Sequence, residues 1–394
     1  MGKQFRLYIS HLDAHIEGSA AINLPAGPYG LRDALDKVRL SKDEGVLLEM
    51  DSCRCPDLME WFNGRESGRD TVQDIYRLNI LAEQMEKLEI WQMPIFAGAL
   101  RMEAREKPQL PLSRLCDLAE ALDSYNFAGA SDDEELGEFY VENGFLPELE
   151  NVPESVLEKL DFEKIGREMR ETEGGTFVEH GYVVRSGDIP EKHKGLDLTS
   201  PEPEYTILLE VGLPDRGEPE LLKLPCSSEA LRAIPDRFEA RGWCDLTWRC
   251  ADCKIPSLRD TISTCESILE INTAAEVLEE LSGIELLTSK ALVSVMKPQD
   301  LTDALALIEA RNDYALERDI ASPADVGMSQ LQSALQQDEI ELLAPHVNLY
   351  SYGESAMKLY GMELTEYGGL ERWDGQPVHA PEEEHAQTGG MEMR

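Results

Sequence analysis

The chain has 394 residues, 42% of them hydrophobic, with 5 Trp, 12 Tyr and 9 Phe, which is enough apolar material for real cores. Its 77 Asp and Glu against 37 Lys and Arg give a net charge of −40, and that self-repulsion opposes folding. Such a surface repels DNA and anionic membranes, which leaves a basic protein groove, a metal cation or solvent as its natural counterpart.

In chain order, Phe5, Leu7 and Ile9 alternate with polar residues and read as a strand. Leu31, Ala34, Leu35 and Val38 recur at helical spacing within Gly30 to Val38, and the apolar run Val46 to Met50 reads as a second strand. The period then lengthens. Val72, Ile75, Leu78, Leu81, Met85 and Leu88 mark an amphipathic helix that opens at Asp70 and Thr71. Further helices are expected over Leu112 to Leu122, Asp133 to Glu142, Pro153 to Leu160 and Asp161 to Glu171, before a Gly-rich turn and terminal strand in "EGGTFVEHGYVV". Tyr205 to Val211 and Leu246 to Trp248 repeat the opening strands, so the fold class expected is α+β.

Self-comparison explains that return. "INLPAGPYGLRDAL" from Ile22 matches "LKLPCSSEALRAIP" from Leu222 at an offset of 200, and "IYRLNILAEQMEKL" from Ile75 matches "ILEINTAAEVLEEL" from Ile268 at 193. "LCDLAEALDSYN" from Leu115 pairs with "LTDALALIEARN" from Leu301, and "IGREMRETEGGTFVEHGY" from Ile165 with "YGESAMKLYGMELTEYGG" from Tyr352. The expected organisation is two divergent copies, 4–187 and 204–378. The first divides into an α/β head (4–60), a helical middle (70–125) and an acidic α+β tail (126–187). Residues 188–203, polar and Pro-containing, suit a linker. Residues 379–394 are poor in apolar side chains and read as a disordered end.

The acid is gathered rather than spread. From Leu115 to Glu158 there is no Lys or Arg, yet Asp117, Glu120, Asp123, Asp132, Asp133, Glu134, Glu135, Glu138, Glu142, Glu148, Glu150, Glu154 and Glu158 lie there. On a helix, Glu135, Glu138 and Glu142 would stack along one face. Residues 1–188 carry 38 acids and 20 bases, a net of −18, and residues 189–394 carry 39 and 17, a net of −22. In the second copy the acid concentrates instead in the cation-free stretch Asp260 to Ser289, which includes Glu276, Glu279 and Glu280. DNA owes much of its affinity for proteins to a charge about every 1.7 Å of axis, so rows of carboxylates can engage the same Lys and Arg. These acids are the expected partner-binding residues, and the expected partner is the basic DNA-binding groove of a restriction-modification or other defence protein. Neither nucleic acid nor a membrane is an expected partner.

The first copy resembles the ArdA antirestriction family in "LYISHLDAHIEG" (7–18), "LPAGPYGLRDALDKV" (24–38), "EELGEFYVENG" (134–144) and "VPESVLEKLDFEKIGREM" (152–169) with the "GTFVEHGYV" ending. The resemblance implies an elongated, multi-domain DNA mimic that inhibits type I restriction-modification enzymes and usually acts as a dimer. It also implies that the antirestriction motif falls on Glu134, Glu135, Leu136, Gly137, Phe139, Tyr140 and Gly144. Family members are about half this length, so one chain is expected to span as a pseudo-dimer the groove that two subunits would otherwise fill, a homodimer of full chains being the alternative. The second copy lacks the acidic element and has Glu354 where the first has Arg167.

Other motifs carry less. Cys250 and Cys253 form half of a zinc signature, with only Cys53 and Cys55 about 200 residues away as a second pair. His11 and His15 are spaced like helical metal ligands but sit where the alternation ends a strand. No hydrolase, Walker or zinc-protease signature is present, so no catalytic residue, metal or cofactor is expected. Two readings compete with the mimic. One is an acidic metal-dependent enzyme acting on nucleic acid or phosphate substrates, which needs a few converging carboxylates rather than a long face of them. The other is a protein–protein adaptor. No apolar run of 18 residues occurs, and the start "MGKQFRLYISHLD" lacks the apolar core of a signal peptide, which points to the cytoplasm and reduced thiols.

Overall fold

A computed structural model describes residues 2–378 apart from 13–17, 41–44, 67, 69, 150–151, 158, 197, 199–201 and 215. His15 and the expected disordered end, 379–394, lie outside the described residues. The chain forms two compact units. One holds Met1–Leu12, Ala20–Ala26 and Leu40–Pro201, and the other holds Gly27–Arg39 together with the chain from Glu202 onward.

In chain order the first half contains β1 (Phe5–His11), β2 (Ser19–Leu24), α1 (Pro28–Val38), β3 (Gly45–Cys53), α2 (Pro56–Gly64), β4 (Asp70–Thr71), α3 (Val72–Lys87), α4 (Gln92–Glu106) and α5 (Leu112–Glu120). It continues with β5 (Tyr125–Ala128), α6 (Asp133–Glu142), α7 (Glu154–Leu157), α8 (Phe162–Glu173), β6 (Thr176–Val178) and β7 (Gly181–Arg185). The second half contains β8 (Ile207–Leu213), β9 (Arg216–Leu224), α9 (Ser228–Arg237), β10 (Thr247–Cys253), α10 (Arg259–Thr264), α11 (Ile268–Glu279), α12 (Gly283–Met296) and α13 (Leu301–Glu309). Then follow β11 (Tyr314–Glu317), α14 (Pro323–Ala334), α15 (Gln337–Leu343), α16 (Leu349–Tyr360), β12 (Glu363–Thr365) and β13 (Gly368–Arg372). Helices and small antiparallel sheets alternate, an α+β fold.

The sheets run β2-β1-β3-β4 and β5-β7-β6 in the first half, and β10-β8-β9 and β11-β13-β12 in the second. Phe5, Leu7 and Ile9 point into the first sheet's core and are essentially inaccessible, as period-two alternation requires. α3 starts with a reciprocal capping box between Thr71 and Asp74 and buries Val72, Ile75, Leu78, Leu81 and Met85. Local bonds recur between the halves. Asn79 on α3 accepts from the Ala26 N–H at 2.8 Å and donates to Glu83, while Asn272 on α11 accepts from the Cys226 N–H at 2.9 Å and donates to Glu276.

Three details differ from the sequence reading. α5 and α13 are both nine-residue helices, one opening on Leu112 and the other on Leu301, so the Leu115–Leu301 pairing is out of register by about one helical turn. Leucines every three or four residues make that slip invisible in sequence. The expected linker is partly built into the first unit, because Ile189 is buried and the Lys192 and His193 N–H groups both donate to Asp117. Thirdly, α1 counts with the second unit. Gly27 precedes it with no capping side chain, and Asp252 supplies the missing acceptor by taking the Tyr29 N–H at 3.1 Å. A Cβ on Gly27 would lie 2.4 Å from the Asp252 carboxyl, so this approach requires glycine. α9 needs no such help, since Ser227 caps it by accepting from Ala230.

Candidate acidic interaction surface

α6 begins where Asp132 takes the Glu135 N–H at 2.9 Å, and its first turn holds Asp133, Glu134 and Glu135, where the helix dipole favours negative charge. Leu136, Gly137 and Tyr140 form its buried face. That face meets α8 at very close range. A Cβ on Gly137 would lie 2.0 Å from the Phe162 carbonyl oxygen, and one on Gly166 would lie 1.8 Å from that of Asp133. Asp133 also joins the clamp, accepting both Arg170 donors at 2.7 and 2.9 Å, and the Arg170 bonds hold its carboxyl below the ordinary range.

With one face committed, the other is left to solvent. Glu134, Glu138 and Glu142 are exposed and four residues apart, so they form a single row along the helix. Glu135 is exposed too, but its carboxylate takes the Ser131 N–H at 2.7 Å. Asp123, Asp132 and Glu148 are also exposed nearby in sequence. Glu150 and Glu158 lie outside the described residues, and Glu154 opens α7.

Three residues expected on this surface serve other purposes. Asp117 is buried and holds the 192–193 backbone, so its charge is spent inside the fold. Glu120 takes hydrogen bonds from Gln84 at 2.6 Å and Lys192 at 3.1 Å and lies 3.2 Å from the His193 ring. Burial pushes its carboxyl upward, but the Lys192 and His193 interactions outweigh that and hold it below its ordinary value. Tyr140 is not a surface contact either. It is buried and its hydroxyl donates to Glu173 at 2.5 Å, burial and then that carboxylate pushing its titration upward. Sequence alone could not separate Asp117 from its neighbours, because the residues that bury it lie 75 positions away.

Beside α6 lies an aromatic cleft of about 710 Å³ that includes Trp91, Phe127, Phe139 and Phe145. Phe139, Tyr140 and Phe145 pack mutually with centroids 5.6 to 5.8 Å apart. This cluster is what seats the acidic face.

In the second half, Glu276 and Glu279 are exposed on α11 and Glu280 closes it. They occupy the helix C-terminal end, where the dipole opposes them, although Glu276 accepts from the Asn272 amide at 3.2 Å. Among the described residues no group of three or more His, Cys, Asp or Glu could hold a metal ion. Cys250 and Cys253 are buried, their thiols donating to the Asp252 and Ile255 carbonyls, and burial pushes Cys253 far above its usual range. Burial likewise raises Cys53 to about 12 and Cys55 to about 11, so these thiols are protonated at neutral pH. Among the described residues no helix is long and apolar enough to cross a membrane. Compared with known proteins, the chain matches no family model and no curated protein.

Proposed function

We propose that this chain is a non-enzymatic DNA mimic of the ArdA type, built as two divergent tandem copies, which acts in the cytoplasm. It occupies the basic DNA-binding groove of a type I restriction-modification enzyme or a related defence complex and inhibits it. The observation that carries this reading is the Glu134, Glu138 and Glu142 row, exposed along one face of a helix whose opposite face is clamped to α8.

At a rise of about 1.5 Å per residue these carboxylates recur roughly every 6 Å, against about 3.4 Å for phosphates along one DNA strand. The row alone is therefore too sparse, and Asp123, Asp132, Glu135 and Glu148 must add to it. Lys and Arg of the target would exchange phosphates for carboxylates, and counterions would be released from both surfaces. The test is competition. A type I enzyme loaded with fluorescent duplex DNA should lose that duplex as the chain is added, and lose it less readily as salt rises. A ternary complex that keeps the duplex would contradict the reading.

A further inference from the structure

The two halves differ at one sheet edge. In the first half, seven residues separate α2 from α3, and they end in β4, which pairs antiparallel with the start of β3, Val46 facing Asp70 and Gly45 facing Thr71. Arg65 fixes that strand by gripping the buried Asp70 at 2.6 and 2.8 Å while its guanidinium lies 3.9 Å above the Phe62 ring. The outer edge of β3 is thereby covered by the chain itself.

In the second half only three residues separate α10 from α11, and among the described residues no strand lies on the outer side of β10. The register is otherwise the same. The Met50 N–H donates to Asn63 at 3.0 Å, and its counterpart at an offset of 200, the Cys250 N–H, donates to Ser263 at 3.0 Å. Alternation along the strand then turns the backbone groups of Trp248 to that same open side. Beside that edge there is a groove of about 1040 Å³ along Trp243 to Trp248, walled by α9 and by Ser263 to Leu269. Trp243 and Trp248 meet edge to face in it at 5.8 Å, and Leu269 is 65% exposed.

We infer that this groove takes an extended, cationic segment of a partner protein, which adds to β10 as a strand. Three observations select that occupant. The matching sheet edge in the first half is covered by an extended segment, β4. The open backbone edge recognises a strand by main-chain hydrogen bonds while the tryptophans receive its alternate side chains. The wall from Ser263 to Leu269 carries Glu266, Glu270 follows on α11, and no Lys or Arg occurs between Asp260 and Ser289, so the segment is basic rather than acidic. Arg232, on the α9 wall, is the cation of the lining and disfavours a second one placed beside it. This inference does not depend on the DNA-mimic reading.

The test uses the full chain and a capped six-residue peptide alternating Lys and Val, with an alternating Glu and Val peptide beside it. The Lys peptide should bind and slow amide exchange at Trp248, and the Glu peptide should not. Grafting residues 65–71 between Thr264 and Ile268 in place of 265–267, so that the chain covers its own edge, should weaken binding by about tenfold or more, roughly one decade per 1.4 kcal/mol lost. Should the graft fail to fold, the double substitution Glu266→Lys and Glu270→Lys should produce a similar loss. Exchange protection confined to α6, equal binding of both peptides, or light scattering showing a dimer of the full chain that the graft abolishes would each overturn the inference.

Discussion

The helix pair α6 and α8 in the first half and the pair α14 and α16 in the second share one clamp and wear different surfaces. In both, two glycines face each other across the crossing, Gly137 with Gly166 and Gly327 with Gly353, and any Cβ there would lie within 2.2 Å of a carbonyl oxygen of the opposing helix. In both, the second helix is capped by a short polar side chain, Asp161 or Asn348. Outside the clamp they part. α6 reads DEELGEFYVE, while α14 reads PADVGMSQLQSA and keeps a single acid, Asp325, which serves its own capping box. The acidic row is therefore not what the clamp requires. Within α6 the acids divide again, because those of the first turn suit the helix start, whereas Glu138 and Glu142 gain nothing from it.

The largest expected effect lies where the halves differ inside rather than outside. Lys290 on α12 is buried and lies 2.9 Å from both Asp33 and Asp36, and the Tyr367 hydroxyl donates to Asp33 at 2.9 Å. The helix in the same order in the first half, α4, reads QMPIFAGALRMEARE and carries no lysine. Lys290→Ala leaves the buried Asp33 with Lys37 alone, at 3.3 Å, so urea unfolding should show the second unit weakened by about 3 kcal/mol, the low end for breaking a buried pair. Adding a methyl at the crossings comes next. Gly166→Ala and Gly353→Ala should each cost about 1 to 3 kcal/mol, since backbone must move to admit the Cβ. Similar losses for the two would uphold the shared clamp, and a neutral Gly353→Ala would break the comparison.

A smaller effect separates the pairs by pH. Arg170 depresses the folded titration of Asp133, so this contribution is complete above the ordinary carboxylate range and disappears as pH falls through the folded value. Asp133→Asn should cost about 1.5 kcal/mol at neutral pH, the low end for a charged hydrogen bond, and should flatten the acid limb of the stability curve. Pro323 opens α14 where Asp133 opens α6, so the second unit has no matching limb. Smallest is the effect on stability of Glu134→Gln, Glu138→Gln and Glu142→Gln together. Relief of like charges at four-residue spacing should raise thermal stability by roughly 0.2 to 0.5 kcal/mol per pair.

Periodic segments were legible in sequence. α6 spans the expected Asp133 to Glu142, and α3 opens at the expected Asp70 and Thr71. The expected helix Pro153 to Leu160 shortens to Glu154–Leu157. What sequence could not show depends on distant partners. Nothing local marks Asp252 as the cap of α1, or Asp117 as a buried anchor among exposed carboxylates. β4 is too short to carry an alternation, so the covered edge in one half and the open edge in the other emerged only from pairing.

On the proposed function, the α6 carboxylates stand in for phosphates. The most direct test is the salt dependence of binding to a type I restriction enzyme, measured for the chain and for the triple Gln variant. If the row imitates DNA, affinity should fall steeply with salt, and the variant should bind more weakly with a log–log slope shallower by about one for each carboxylate that met a cation. Equal affinity and equal slope for the two proteins would contradict it.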